Sequence, residues 1–218
     1  MKAFFLGLLI LPILGYAQTW PQWRGPDASG HAPIGIYPKF WSSQKNISWK
    51  TNLPGRGHSS PVHDDQYIWV TSALETSASE KEKEARLKEN KGLPTVTVLS
   101  KVSLRALKID PVSGKILKNI KVFEKSQPQW VHKLNSYASP SPYIEGGKLY
   151  LHFGAFGNAC IDTQSHEIIW KNNQPDLWVM HENGPGSSPI IWQDLMIFHL
   201  DGSDRQSVVA LYKDTGKI

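Results

Sequence analysis

Three times along this 218-residue chain a Ser-Pro pair opens a short apolar run: Ser60-Pro61, Ser141-Pro142 and Ser188-Pro189. A second run follows each, Tyr67-Ile68-Trp69-Val70, Leu149-Tyr150-Leu151-His152 and Leu195-Met196-Ile197-Phe198. A third then leads into a turn, opened by Asp110, Asp162 and Asp214 in the three copies. Pro142 and Pro189 lie 47 residues apart, and Asp110 and Asp162 lie 52 apart. Several short strands repeated at that period predict an all-β fold, a β-propeller of four-stranded blades. A blade cannot bury its faces alone, so the repeat also predicts radial stacking, with like positions meeting around a shared hub.

The blades are expected near 59–123, 139–172 and 187–218, with an N-terminal closing strand near 46–50 that would remove a free sheet edge. A charged insertion at 75–91 separates the strands of the first blade. There Ser79 followed by Glu82 forms a capping box, which predicts a short exposed helix from Glu80 to Glu89. The turn Asp110-Pro111-Val112-Ser113-Gly114-Lys115 has its own logic: the Asp carboxylate accepts from N–H groups two residues on, and Gly supplies a positive φ. Tryptophans such as Trp23, Trp41, Trp49, Trp69, Trp170, Trp178 and Trp192 read as cement between blades. Three blades do not close a ring, so the chain reads as part of a larger propeller truncated at its C-terminus.

Residues 1–17 read as a cleaved signal peptide, with Lys2, an apolar core from Ala3 to Leu14 and the cleavage site Gly15-Tyr16-Ala17. The apolar run is too short, and too interrupted by Pro12, for a membrane span. The protein is therefore expected to be periplasmic or secreted, and a monomeric propeller. With Cys160 as its one cysteine it has no internal disulfide, so packing must hold it together. Cys160 itself reads as a buried small hydrophobe. The net charge of +5 comes from interspersed acids and bases, not from a basic stripe, which argues against a nucleic-acid partner.

The blade text, with Ala106-Leu107 before Asp110-x-x-Ser113-Gly114-Lys115 and Trp170 closing the second blade, resembles the pyrroloquinoline-quinone-like (PQQ-like) repeat. Trp20-Pro21-Gln22-Trp23-Arg24-Gly25-Pro26, Pro54-Gly55-Arg56-Gly57-His58-Ser59-Ser60-Pro61, Asn135-Ser136-Tyr137-Ala138-Ser139-Pro140 and Gly186-Ser187-Ser188-Pro189 are similar to exported bacterial PQQ-like repeat proteins. That resemblance covers the mature chain and implies about three blades of a seven- or eight-bladed ring. It embraces cofactor-free scaffold propellers of the outer-membrane assembly machinery and quinoprotein dehydrogenases that hold PQQ and Ca²⁺ on the axis. The dehydrogenases carry a vicinal cysteine pair, which this sequence lacks, and Tyr212 stands where the family has Asp four residues before the turn Gly.

His58, His132 and His181 each stand shortly before a Ser-Pro, at positions that blade symmetry brings toward one mouth of the central channel. With Ser59, Asn135, Tyr137, Glu182 and Ser187 they form a candidate axial pocket. Imidazoles suit Zn, Cu or Fe, yet the spacing alone is no metal signature, and no metal is expected. His152 and His199 end strands and read as sheet residues. The Gly-rich stretches 54–58 and 184–188 lack the Lys-Ser/Thr and helix of a phosphate loop. Asp201-Gly202-Ser203-Asp204 lacks the remaining ligands of an EF-hand. No catalytic set emerges. The expected function is a non-catalytic binding or scaffold module for a protein or polysaccharide partner, with no cofactor. The alternatives are a PQQ- and calcium-dependent dehydrogenase, or an enzyme using the axial histidines.

Overall fold

The computed structural model describes residues 19–88, 95–181 and 183–218. The leader at 1–17, the end of the insertion at 89–91 and Glu182 lie outside the described residues. In chain order the first part contains β1 (Val62–His63), β2 (Ile68–Ser77), α1 (Glu80–Lys88), β3 (Val96–Thr97), β4 (Leu99–Ile109), β5 (Ile116–Ser126) and β6 (Val131–His132). Next come β7 (Tyr143–Glu145), β8 (Lys148–His152), β9 (Asn158–Asp162) and β10 (Ile168–Asn172), then β11 (Ile190–Trp192), β12 (Leu195–Asp201) and β13 (Gln206–Tyr212). They build antiparallel sheets in the orders β1-β2-β4-β5, β7-β8-β9-β10 and β11-β12-β13, with β3 paired to β6. The fold is thus all-β and propeller-like, and the three main sheets do not close a ring among the described residues. The single α-helix among the described residues lies in the charged insertion.

Alternation along the strands decides how the sheets stack. Successive side chains point to opposite faces. In the middle sheet Leu149, Leu151, Ala159 and Ile161 turn one way and join Leu104, Val122 and Phe123 of the first sheet. Tyr150, Cys160 and Trp170 turn the other way and join Met196, Phe198, Leu200 and Leu211 of the third. Burying each of these large side chains stabilises the stack by roughly 1.5–3 kcal/mol. Packing of this kind needs no disulfide, and Cys160 is a free thiol at 0% exposure. Burial pushes that thiol up to about 12, which makes it inert.

The serines of the repeat stitch the inner ends together. Ser141 Oγ accepts from the Ser60 N–H (2.8 Å), and Ser188 Oγ accepts from the Ser141 N–H (2.9 Å). Equivalent residues of successive sheets therefore touch in sequence, as radial stacking requires. Ser59 Oγ accepts from the Thr71 N–H and Ser187 Oγ from the His199 N–H, each across 12 residues. In the middle copy the matching position is Pro140, which has no hydroxyl.

A second device locks the opposite end. The turns share one backbone pattern: Asp110 N–H donates to Lys115 O and Gly114 N–H to Asp110 O. The same bonds join Asp162 with Glu167 and His166, and Tyr212 with Lys217 and Gly216. The third turn therefore starts at Tyr212. Asp214 is not the counterpart of Asp110 and Asp162; it pairs with Lys148 (2.6 Å). Trp49 lies over the first turn, its Nε1–H donating to Pro111 O (2.8 Å) while Thr51 Oγ1 donates to Gly114 O. Trp170 repeats this over the third, donating to Lys213 O (2.8 Å), with Asn172 Nδ2 on Gly216 O (2.6 Å). Gly114 (φ +71°) and Gly216 (φ +68°) are glycines for two reasons. Their φ favours glycine, and a Cβ would strike the covering indole, at 2.6 Å in the case of Gly114.

Residues 46–50, expected to close a further blade, pair with no strand of the described sheets. Trp49 acts through its ring, as Trp170 does from β10. The true addition at the inner edge is Trp20, which exchanges both backbone bonds with His63 (2.8 Å each), while Pro21 O accepts from Ile144 N–H of β7 (2.8 Å). The insertion helix forms as the capping box requires, with Ser79 Oγ accepting from Glu82 N–H. It buries no residue of its own and is tied down by Arg86, which donates to Leu99 O and Pro128 O. Trp69 and Trp170 are buried, whereas Trp23, Trp41, Trp178 and Trp192 are exposed.

Two stability measurements check these locks. Ser141→Ala leaves the Ser60 N–H without its acceptor and lowers the free energy of urea unfolding by about 1–3 kcal/mol. Gly216→Ala is destabilising in the native background but close to neutral in Trp170→Ala, because the collision disappears with the indole. A double-mutant cycle on urea midpoints reads that coupling.

Candidate functional site

The sheets leave two functional ends. One carries the hairpin turns already described. The other gathers the loops at 54–59, 127–139, 179–187 and 201–204, and this is where the expected axial residues lie. Its framework is a knot of side-chain bonds to backbone. Gln129 takes the His181 N–H on Oε1 (2.7 Å), gives Nε2 to Val179 O (2.9 Å), and offers its own carbonyl to Tyr137 Oη (2.8 Å). Asn135 Nδ2 donates to Asn183 O (2.7 Å) and Pro185 O (3.2 Å), while its Oδ1 accepts from Ser136 N and Ser139 Oγ. The two loops are therefore fixed relative to one another.

The histidines expected to face one another have separate tasks. His58 is exposed and joins the knot through its backbone, its N–H and that of Ser59 both donating to Ala138 O. His132 lies on β6, and its Nδ1 accepts from Leu134 N–H (3.2 Å). His181 is buried, its Nε2 accepting from Ala155 N–H (2.9 Å). Tyr137 is fully buried against Phe156, and burial pushes its hydroxyl well above the ordinary tyrosine range. So Asn135, Tyr137, His181 and the backbone of 58–59 are brought together, and His132, on β6, accepts the Asn135 N–H on its carbonyl (2.8 Å). Ser187 serves the backbone of His199, and Glu182 lies outside the described residues.

What the structure adds is His152 and His199. Both line a cavity of 340 Å³ together with His181, Pro185, Ser187 and Asp201. It shares His181 and Gly184 with a 270 Å³ recess that reaches Ser203. The repeat itself held this signal. Thr71, His152 and His199 follow their Ser-Pro serines at one common spacing, so blade register places them at equivalent inner positions.

Electrostatics settle the state of these rings. His152 is 2% exposed, stacks on Phe198 with centroids 4.1 Å apart, and places Nδ1 2.7 Å from Asn158 Oδ1. An amide oxygen only accepts, so the neutral ring carries its proton on Nδ1. Burial drives its pKa down to about 4. Burial also lowers His181, and the Ala155 N–H already occupies Nε2. Only His199 is open, its Nδ1 3.7 Å from Asp201 Oδ2, with both side chains more than half exposed. Ser187 Oγ accepts from a backbone N–H and meets no ring nitrogen among the described bonds. The pocket is thus a preorganised set of donors and acceptors without an activated nucleophile.

The described residues do not fit PQQ with calcium. No three His, Cys, Asp or Glu side chains among them gather as a metal ion requires, and Cys160 is a lone buried thiol on β9, remote from any partner for a vicinal bridge. No helix among the described residues is long and apolar enough to cross a membrane.

No family model matches the chain, and no curated protein matches it. Among solved structures, the crystal structure of BamB from Moraxella catarrhalis aligns over 78% of this chain at 13% identity with a TM-score of 0.35. The chain spans 40% of the length of that structure. The propeller-like character of the fold rests on the chain's own sheets, serine stitches and tryptophan locks.

Buried neutral histidines make stability depend on acid. An unfolded histidine takes up a proton below about 6.5, whereas folded His152 takes one only below about 4. Between those values the unfolded state binds more protons, so stability falls as pH falls, by up to about 1.4 kcal/mol per pH unit and about 3 kcal/mol in total. Urea unfolding from pH 7 to pH 4 shows this slope, and His152→Gln flattens it.

Proposed function

We propose that the chain is part of an exported, non-catalytic binding propeller that engages a protein partner through its loop end. The observation that carries this reading is the division of labour at that end. The side chains of Gln129, Asn135 and His181 are consumed internally, while apolar ones are offered to solvent. Leu134, Trp178 and Met180 are 75%, 47% and 40% exposed. They sit on loops held rigid by Gln129, by Asn135, and by Arg205, whose guanidinium donates to Asp176 O and Trp178 O. Aromatic residues and Met on a preorganised surface are the usual anchors of protein recognition, because little entropy is lost when they are covered. A catalytic reading needs an activated base or nucleophile, and the buried imidazoles here are neutral with bonded ring nitrogens. Export and the resemblance to scaffold propellers support the same reading.

The test uses the mature full-length protein as bait in an envelope extract, followed by affinity measurement with the captured partner. Trp178→Ala combined with Met180→Ala weakens that partner by about tenfold or more, with the thermal midpoint unchanged. Dye-linked alcohol or sugar oxidation after addition of PQQ and Ca²⁺ stays at background. Turnover in that assay, or undiminished capture by the double variant, overturns the proposal.

A further inference from the structure

The tryptophan lock is absent from one interface, and that interface is open. Trp170 of the second blade covers the third turn, and Trp49 covers the first. The second turn should be covered by the first blade's outer strand, where the position matching Trp170 is Lys118. The turn position matching Gly114 and Gly216 is His166, which holds φ +68° without being glycine. One strand further in, where the second and third blades have Cys160 and Ala210, the first has Lys108, paired in register with Lys118. Three departures from the repeat thus coincide at one place. A left-handed histidine costs about 1–2 kcal/mol, and such strain persists where surroundings impose it, often at functional sites.

A cleft of 870 Å³ lies between the first two blades at the turn end, with His166 and Lys108 in its lining. That volume lies in the usual range of about 300–1,000 Å³ for small-ligand sites. Its floor is Lys108, a 6% exposed residue whose Nζ donates to Thr163 O (3.1 Å) and His166 Nε2 (3.0 Å) and lies 3.7 Å from the centroid of the Tyr67 ring. The ammonium is saturated, and because His166 Nε2 accepts, its Nδ1 carries a proton available to donate. Asp64 and Asp162 each spend Oδ1 on N–H groups of their own turns. Neither Oδ2, nor the carboxylate of exposed Asp65, has a hydrogen-bond partner among the described residues. Gln164 adds an amide at the rim.

The geometry points to a saccharide site: the cleft between the first and second blades takes a neutral, polyhydroxylated ligand. An anion would meet the carboxylates of Asp64, Asp65, Asp162 and Glu145, the last paired with Lys213, and a cation would meet the Lys108 ammonium and Lys148, itself paired with Asp214. An apolar ligand would find polar walls. A vicinal diol both donates and accepts at each oxygen, and so matches acceptors at Asp64, Asp65 and Asp162 alternating with donors at His166 and Gln164. The site lies at the end opposite the protein-binding loops and does not rest on that reading.

The test measures binding of cellohexaose, maltohexaose, xylohexaose and chitotetraose to the mature protein by calorimetry and saturation-transfer NMR, with spermidine and inorganic phosphate as charged probes. At least one oligosaccharide is expected to bind in the micromolar to millimolar range. Asp65→Ala with Gln164→Ala, two exposed rim changes, weakens it about tenfold. Lys118→Trp with His166→Gly restores the lock of the other interfaces and abolishes binding. Trp178→Ala at the loop end leaves it unchanged, which separates this site from the protein-binding one. The assignment is overturned if no oligosaccharide binds at millimolar concentration, if spermidine or phosphate alone binds, or if the rim variant binds as well as the native protein.

Discussion

An indole laid over a glycine turn is the contact on which the geometry of this protein turns. It has three parts that depend on one another. The turn backbone presents a carbonyl to the indole N–H, the glycine leaves room for the ring, and a Thr51 or Asn172 side chain two residues on closes over the glycine carbonyl. None of these works alone, since a Cβ on the glycine would displace the ring and loss of the ring would expose the turn. The lock fixes the outer strand of one blade against the turn of the next. The serine stitches Ser60–Ser141–Ser188 fix the inner strands. Between the second and third sheets, where both devices occur, angle and spacing are set at both edges, and the interleaved apolar faces fill the middle. A chain with one cysteine obtains in this way the rigidity that small exported domains often take from disulfides.

Rigidity at the loop end has a chemical consequence. Gln129, Asn135 and His181 are polar residues that could have formed a reactive cluster, yet each is committed to a backbone partner. A buried imidazole such as His181, with Nε2 bonded and its pKa lowered by burial, holds loops in place. The side chains left over at that end are Leu134, Trp178 and Met180, suited to contact and not to catalysis. Structure and chemistry here favour recognition for the same reason: the polar groups have been spent on preorganisation.

Much of this was legible in the sequence because repetition carries geometry. The Ser-Pro recurrence predicted inner strands that meet, and Ser141 between Ser60 and Ser188 shows them meeting. Register was only partly legible. Residue type alone offers Asp214 as the third turn's first residue, whereas counting back from the turn Gly gives Tyr212, where the backbone bonds begin. The same lapse hid His152 and His199, which only a strict alignment with Thr71 places at the inner cavity. His58 and His132 were grouped with His181 by their distance from a Ser-Pro. The structure gives them different partners: His58 bonds through its backbone N–H, His132 through Nδ1 and His181 through Nε2.

Departures from a repeat are more informative than the repeat once the physical reason for each repeated residue is known. Glycine at the turn is explained by the indole, and the indole by the turn. Loss of both at one interface is therefore a single event, not two unrelated changes. Lys118 and His166 replace a dry lock with a polar, partly open contact, and Lys108 supplies a cation where the other blades have Cys160 and Ala210. If stacking alone were at stake, tryptophan on glycine would serve the second turn as well as it serves the first and third. The strained histidine and the buried ammonium cost stability that the lock would not, and what they create in exchange is a cleft with hydrogen-bonding walls. That exchange is the physical ground for regarding the second turn as a place where the fold has been adapted to hold something.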